Sequence, residues 1–430
     1  MKKFLTLITL SILCFSLFIS LLLSVNAQSD DSWPMFHRDT AHTGYTNLEG
    51  PSTNRTLWTF PVVNGGWVLT SPAIVNDVVY FTASDKGFHL NTSNNNIYAV
   101  NAKDGTKIWN YSVAAKIYGA PAVENGRVFF ASDDFSIYGL NATTGAFIWK
   151  CTTGSYAEGS PTVSNGVVYV GSNDYKLWAI DAPTGMPLWN FTTGGLVTAA
   201  PAVANGVVYF GSYDKKVYAL DALTGAKKWD FATQSVAASS PAVADGKVFV
   251  GSFDNNTYAL NADTGALIWK VETGYDQCVQ ASPAVANGVV YTGGAFDYKL
   301  YALDAANGNQ KWTFQANGGI TTAPAVIDNT VYVTATLSNT TYAVNAQNGN
   351  QIWSYQTQGN VYSSPAVVNG VAYFGAYDGT FYAVGRSSSA GGSTPTSTTT
   401  YYIIAAVLVV LIIVAVAIIA LRKRRNKFSK

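Results

Sequence analysis

From Pro72 onward the chain alternates between two kinds of short segment. Val207-Val208-Tyr209-Phe210 and Val217-Tyr218-Ala219-Leu220 are apolar at consecutive positions, whereas Trp189-Asn190-Phe191 and Trp312-Thr313-Phe314 are apolar at every second one. The first pattern belongs to strands whose sheet is covered on both faces, the second to strands with one face in water. The residue after each of Trp58, Trp109, Trp149, Trp189, Trp229, Trp269, Trp312 and Trp353 is polar, which makes the tryptophan strand the half-exposed edge. No segment carries the longer amphipathic stretch a helical repeat of similar period requires. The class is all-β.

The pattern is one unit written eight times. Its proline recurs as Pro72, Pro121, Pro161, Pro201, Pro241, Pro283, Pro324 and Pro365, and four residues later comes a two-residue turn. Asn-Gly stands at 125–126, 165–166, 205–206, 287–288 and 369–370, Asp-Gly at 245–246, with Asn76-Asp77 and Asp328-Asn329 completing the set. Asn, Asp and Gly accept the positive φ of a type I′ turn, so each marks a tight hairpin. Four short strands with one outer edge make a propeller blade. The count also closes the ring. Trp58 precedes the first of these prolines, and the last unit ends at Val384 without a tryptophan strand. Thr56–Phe60 is therefore predicted to complete the Pro365–Val384 sheet, removing the open edges that invite aggregation. The expected architecture is an eight-bladed β-propeller with four-stranded blades, closed by strands from both ends of residues 28–385.

Charge and composition narrow the function. With 12% charged, 48% hydrophobic and 13% aromatic residues the chain is not disordered, and three cysteines are too few for a disulfide scaffold. The propeller is net acidic, and six of the 26 Lys and Arg lie in the last nine residues, which excludes a nucleic-acid surface on the body. Residues 1–27 read as a signal peptide: Lys2 and Lys3, an apolar run Phe4–Leu23, then Val25-Asn26-Ala27 before the cut. Residues 386–400 are a Ser/Thr/Gly-rich stalk. Residues 401–421 lack charge and form one C-terminal transmembrane helix of about 32 Å, and the basic 422–430 tail holds the cytoplasmic side. The expected place is the cell membrane, single-pass, with a monomeric propeller outside.

Seven units carry Ala/Gly-x-Asp/Asn-x-x-x-Gly-x-x-x-Trp, as in Ala179-Ile180-Asp181-Ala182-Pro183-Thr184-Gly185-Met186-Pro187-Leu188-Trp189. This resembles the tryptophan-docking motif of the eight-bladed quinoprotein (PQQ-like) propeller family, over about Trp33 to Val384. The resemblance implies that the eight tryptophans are structural docking residues and that Gly105, Gly145, Gly185, Gly225, Gly265, Gly308 and Gly349 make the turn. The family includes dehydrogenases using pyrroloquinoline quinone with calcium, and noncatalytic members such as the β-barrel assembly lipoprotein. Here no cysteines are adjacent, and Cys151 stands where other units place Phe191, Phe231, Phe314 or Tyr355, a core position. Neither a catalytic set nor a metal site is recognised, and no cofactor is expected outside the dehydrogenase alternative.

The aspartates at 134, 174, 214, 254, 297 and 378 recur at one turn position, as do the Asn or Asp at 101, 141, 181, 221, 261, 304 and 345. Repetition around a ring marks them as structural. His37 and His42, five apart in the N-terminal lead, suit packing better than a metal. What varies from unit to unit is the loop before each proline. In the resembled family these loops open on the channel mouth, so Lys116, Tyr118, Tyr156, Glu158, Gln280 and Tyr362 are the candidate contact residues. Sequons begin at Asn54, Asn91, Asn110, Asn141, Asn190, Asn255 and Asn339, as suits a surface glycoprotein. The expected function is a membrane-anchored scaffold for a protein or glycan partner, with a quinone-dependent dehydrogenase and a surface ligand sensor as the alternatives.

Overall fold

The computed structural model describes residues 32–62, 66–84, 95–275 and 281–386. Residues 1–27, read as a signal peptide, Asn91, Cys278, Gln280 and residues 387–430, which carry the expected transmembrane helix, the basic tail and all but the first residue of the expected stalk, lie outside the described residues. Among the described residues no helix is long and apolar enough to cross a membrane.

Eight sheets form the eight blades, here numbered by their innermost strands: Ala73–Val75, Ala122–Glu124, Thr162–Ser164, Ala202–Ala204, Ala242–Ala244, Ala284–Ala286, Ala325–Ile327 and Ala366–Val368. Blade 4 shows the plan. Ala202–Ala204, Val207–Ser212, Lys216–Asp221 and Lys227–Ala232 pair antiparallel in chain order. Val207–Ser212 is buried at every position but the first, whereas Trp229 alone is fully buried in Lys227–Ala232, as the two apolar patterns predict. The Asn-Gly hairpins are type I′: Asn125, Asn165, Asn205, Asn287 and Asn369 have φ between 49° and 52°, and the glycines after them between 72° and 76°.

Adjacent blades are joined by the tryptophans. Trp149 of blade 2 donates its indole N–H to Ala182 O of blade 3 at 2.9 Å, and Trp109, Trp189, Trp229, Trp269 and Trp312 make the equivalent bond one blade on. Gly185 then has two reasons to be glycine. Its φ is 74°, and a Cβ there would stand 2.5 Å from the Trp149 ring. In each outermost strand the register slips just before the tryptophan: Ala179 faces Trp189 but Ile180 faces Pro187, leaving Leu188 as a bulge that turns the indole toward the next blade.

Thr56–Pro61 completes blade 8, pairing antiparallel with Thr380–Gly385 so that Trp58 faces Ala383. The predicted closure is present. Trp58 continues the series by bonding Ala102 O of blade 1 at 2.9 Å. Trp353 of blade 7 cannot follow it, because blade 8 ends without a motif loop. Its indole bonds Pro51 O instead, at 3.1 Å.

Pro51 belongs to a lead whose role the sequence did not reveal. Trp33 exchanges backbone bonds with Ile74 of blade 1, and Pro34, Thr40, Ala41, Thr43, Gly44 and Glu49 then accept amide bonds from Val123, Val203, Val243, Val285, Val326 and Gly370, in blades 2, 4, 5, 6, 7 and 8. His42 supplies the missing contact, with Nε2 3.0 Å from Thr162 Oγ1 of blade 3 and Nδ1 3.2 Å from Pro241 O at blade 5. The side chain thus bridges blades 3 and 5 on the inside of the ring. The lead also pairs Tyr45–Thr46 parallel with Ala325–Ile327. It spans the inner ends of the blades like a hub.

His37 and His42 are packing residues here, as expected. Both are buried, and His37 bonds His42 O through Nδ1 at 2.9 Å. Burial lowers the His37 imidazole to about 4, and lowers His42, helped by the neighbouring His37, to about 3. The native lead therefore refuses protons that the unfolded chain takes up below about pH 6.5. Stability is full above that pH and is lost as the pH falls toward 4, at about 1.4 kcal/mol per pH unit for each fully excluded proton. Asp39, raised by its own burial, works in the opposite sense. The measurement is thus a difference: His37→Gln is expected to flatten the fall in melting temperature between pH 6.5 and 4, and equal slopes in the two proteins would refute it.

Candidate functional site

Each second strand runs from its hairpin to the turn that leads into the third strand, so hairpins and turns lie on opposite faces of the ring. The lead occupies the hairpin side, where Thr46 and Glu49 accept bonds from Asp328 and Gly370. The variable loops occupy the other. Asp133 N bonds Lys116 O at 2.9 Å, Asn173 N bonds Tyr156 O at 2.8 Å, and Tyr377 N bonds Asn360 O at 2.8 Å, which ties each loop to the turn of its own blade.

The repeated aspartates are structural on this face. Asp214 accepts Lys216 N at 3.1 Å, Gly194 N at 2.8 Å and the Tyr218 hydroxyl at 2.6 Å, and Asp254 repeats the arrangement with Asn256, Gln234 and Tyr258. Asp134 accepts from Tyr138 and pairs with Lys150 at 3.4 Å. The Asn/Asp set is likewise spent on turns, Asn141 Oδ1 accepting Thr143 N and Thr144 N.

Four of the six loop candidates converge. Lys116 Nζ stands 5.3 Å from the Trp67 ring centre and 5.9 Å from that of Tyr118. Trp67 packs on Tyr377 at 4.8 Å, and Tyr377 on Tyr362 at 4.9 Å. Glu158 faces the same space, because its charge and that of Asp133 both act on the Tyr118 phenol, which burial raises first. Tyr156, two residues before Glu158, packs at a tilt on Phe135 with ring centres 5.1 Å apart. The cluster is contiguous through blades 8, 1, 2 and 3.

The electrostatics are strained in one direction. Burial, then the charge of Glu158, pushes the Asp133 carboxyl up to about 7, with Lys116 opposing. Burial also raises Glu158, against a hydrogen bond from Asn173. Asp133 Oδ1 and Asn173 Oδ1 are buried acceptors without a donor. Asp133, Asn173, Tyr377 and Trp67 are not among the candidates the sequence supplied. The signal was present: the residue just before the repeated aspartate is Asp133, Asn173, Tyr213, Phe253, Phe296 or Tyr377, a variable position beside a constant one.

Of the sequons, Asn54, Asn110 and Asn190 are exposed, while Asn255 and Asn339 sit in turns at φ of 72° and 58°. Cys151 is buried in blade 2, as its alignment with core aromatics predicted.

A family model described as outer membrane protein assembly factor BamB, of the PQQ-like repeat type, matches residues 93–235, 217–323 and 297–390 in overlapping copies. The chain belongs to this family. Among solved structures, BamB from Moraxella catarrhalis is 19% identical with a TM-score of 0.64, over 77% of this chain and 97% of that one. A quinohemoprotein alcohol dehydrogenase from Comamonas testosteroni is 15% identical at 0.69, over 84% and 82%, and a europium-containing methanol dehydrogenase 15% identical at 0.68, over 81% and 91%. At these identities the likeness is one of fold, which the BamB family shares with the dehydrogenases. No curated protein matches the sequence.

A quinone tricarboxylate on the loop face of this BamB-family propeller would meet Lys116 flanked by the carboxyls of Asp133 and Glu158. Among the described residues no three His, Cys, Asp or Glu converge as metal ligands, and Cys151 is enclosed in core.

Proposed function

We propose that this chain is an outward-facing, membrane-anchored scaffold that binds a protein partner through its loop face. The observation that carries the reading is the difference between the two faces: the lead spans the hairpin side, while the loop side concentrates its non-repeating aromatic and acidic residues in one arc. Membership of a family described as an assembly factor supports a protein partner over a glycan. In this reading residues 1–27 are the export signal, 386–400 the stalk, 401–421 the anchor and 422–430 the cytoplasmic tail, and the propeller acts as a monomer. Glycans at Asn110 or Asn190 would lie on outermost strands, away from the arc.

On the hairpin side a cavity of about 470 Å³ between blades 1 and 2 is lined by Asn125, Glu124 and Ile108, and its carboxylate is already bonded to Gly166 N at 3.2 Å. That provides the control. A photocrosslinking residue at Tyr362 of the full-length chain in its native membrane is expected to capture a discrete partner, and one at Asn125 to capture none. Adducts from Asn125 alone would reverse the assignment of the faces.

A further inference from the structure

We propose that the arc formed by Trp67, Tyr118, Asp133 and Glu158 receives a lysine or arginine side chain of the partner protein, and that Lys116 is an internal placeholder for it. This rests on the reading of the loop face as the partner-binding face and specifies its chemistry.

Three independent features point to a cationic guest. The first is that the arc already holds a cation on its rings. Lys116 Nζ lies within 6 Å of both the Trp67 and Tyr118 ring centres, the range in which the negative face of an aromatic ring attracts an ammonium. The second is the surplus of acceptors. Asp133 Oδ1 and Asn173 Oδ1 are enclosed and lack donors, while Lys and Arg bring three and five N–H donors and no acceptor. The third is placement. The corresponding loop and turn positions are Leu196, Thr198 and Tyr213 in blade 4, Val236, Ala238 and Phe253 in blade 5, and Gly319, Thr321 and Thr336 in blade 7. Those blades bring no charge to the positions, so the carboxylates are a local feature of one arc. A carbohydrate would use the rings but gains nothing from two crowded carboxylates, whereas a cation relieves them.

The groups facing the Asp133 carboxyl are Glu158, Lys116 and Asp134, with the Tyr118 phenol beside it. Its carboxyl rests near 7, so a cation that binds beside it displaces a proton. Binding then strengthens as the pH rises from 6 to 8.

The test uses the full-length protein in detergent and fluorescein-labelled peptides of alternating Gly-Ser and Arg, compared with the same peptides carrying citrulline, which keeps the shape and removes the charge. The arginine peptide is expected to bind at least about tenfold more tightly than the citrulline one. Asp133→Asn with Glu158→Gln is expected to abolish that preference, and Asp133→Asn alone to remove the pH dependence. Lys116→Met is expected to tighten arginine binding severalfold by vacating the rings, a gain that misfolding cannot produce. Equal binding of arginine and citrulline peptides, or a loss of binding in Lys116→Met, overturns the proposal. Tyr362 crosslinks that persist while the arginine preference is absent would sink the cation and leave the face standing; loss of the Tyr362 crosslinks would sink the face itself.

Discussion

Exchanging Thr56–Pro61 for a Gly/Ser hexapeptide is expected to lower the melting temperature of the full-length protein by roughly 10 °C or more and to make it self-associate. The strand works on both sides of the seam. Within blade 8 it hydrogen-bonds along Thr380–Gly385. Toward blade 1, Trp58 bonds Ala102 O and packs against Gly105, while Phe60 meets Phe81 and Tyr98 edge-on at 5.8 Å and 5.4 Å. Loss of a buried tryptophan alone costs about 3–5 kcal/mol. At about 2–4 °C per kcal/mol for a protein of this size or somewhat smaller, that already shifts the transition by many degrees. The exchange also leaves Thr380–Gly385 as a bare edge, the template for pairing with another molecule. Calorimetry and size-exclusion chromatography read the two effects, and an unchanged melt would mean that the ring does not depend on this seam.

A double-mutant cycle at the blade 2–blade 3 junction is expected to show strong coupling. Trp149→Ala should cost about 3–5 kcal/mol by removing a buried ring and its bond to Ala182 O. Gly185→Ala carries two penalties: about 1–3 kcal/mol for a φ of 74°, and the displacement of Trp149, whose ring stands 2.5 Å from the new Cβ. In the double variant the second penalty vanishes with the ring. The summed single effects should therefore exceed the double by at least about 1 kcal/mol, measured as denaturation midpoints at constant slope. Strict additivity would show that the glycine serves the turn alone.

The candidate contact residues were only partly legible. Tyr118, Glu158 and Tyr362 stood out because they break a repeat, and the structure gathers them with Lys116. Asp133 was hidden by its neighbour: beside the repeated Asp134 it reads as another turn aspartate, and only the fold shows that Asp134 is bonded to Tyr138 and Lys150 while Asp133 Oδ1 has no donor. Trp67 and Tyr377 lie in blades 1 and 8, far apart in the chain, and meet because the ring closes.

By itself the sequence determined what is local and repeated: strand type from apolar period, hairpins from Asn-Gly turns, the count of eight, and the closure demanded by an unmatched Trp58 strand. These follow from short-range sterics and from the need to bury apolar faces, both written in consecutive residues. Tertiary structure alone decided the fate of Trp33 to Pro51. The sequence marks His37 and His42 as packing residues without saying against what; both are buried at the hub, because six inner strands turn backbone amides toward the axis and a chain threaded among them accepts those bonds. No residue in that segment announces partners that all eight blades supply.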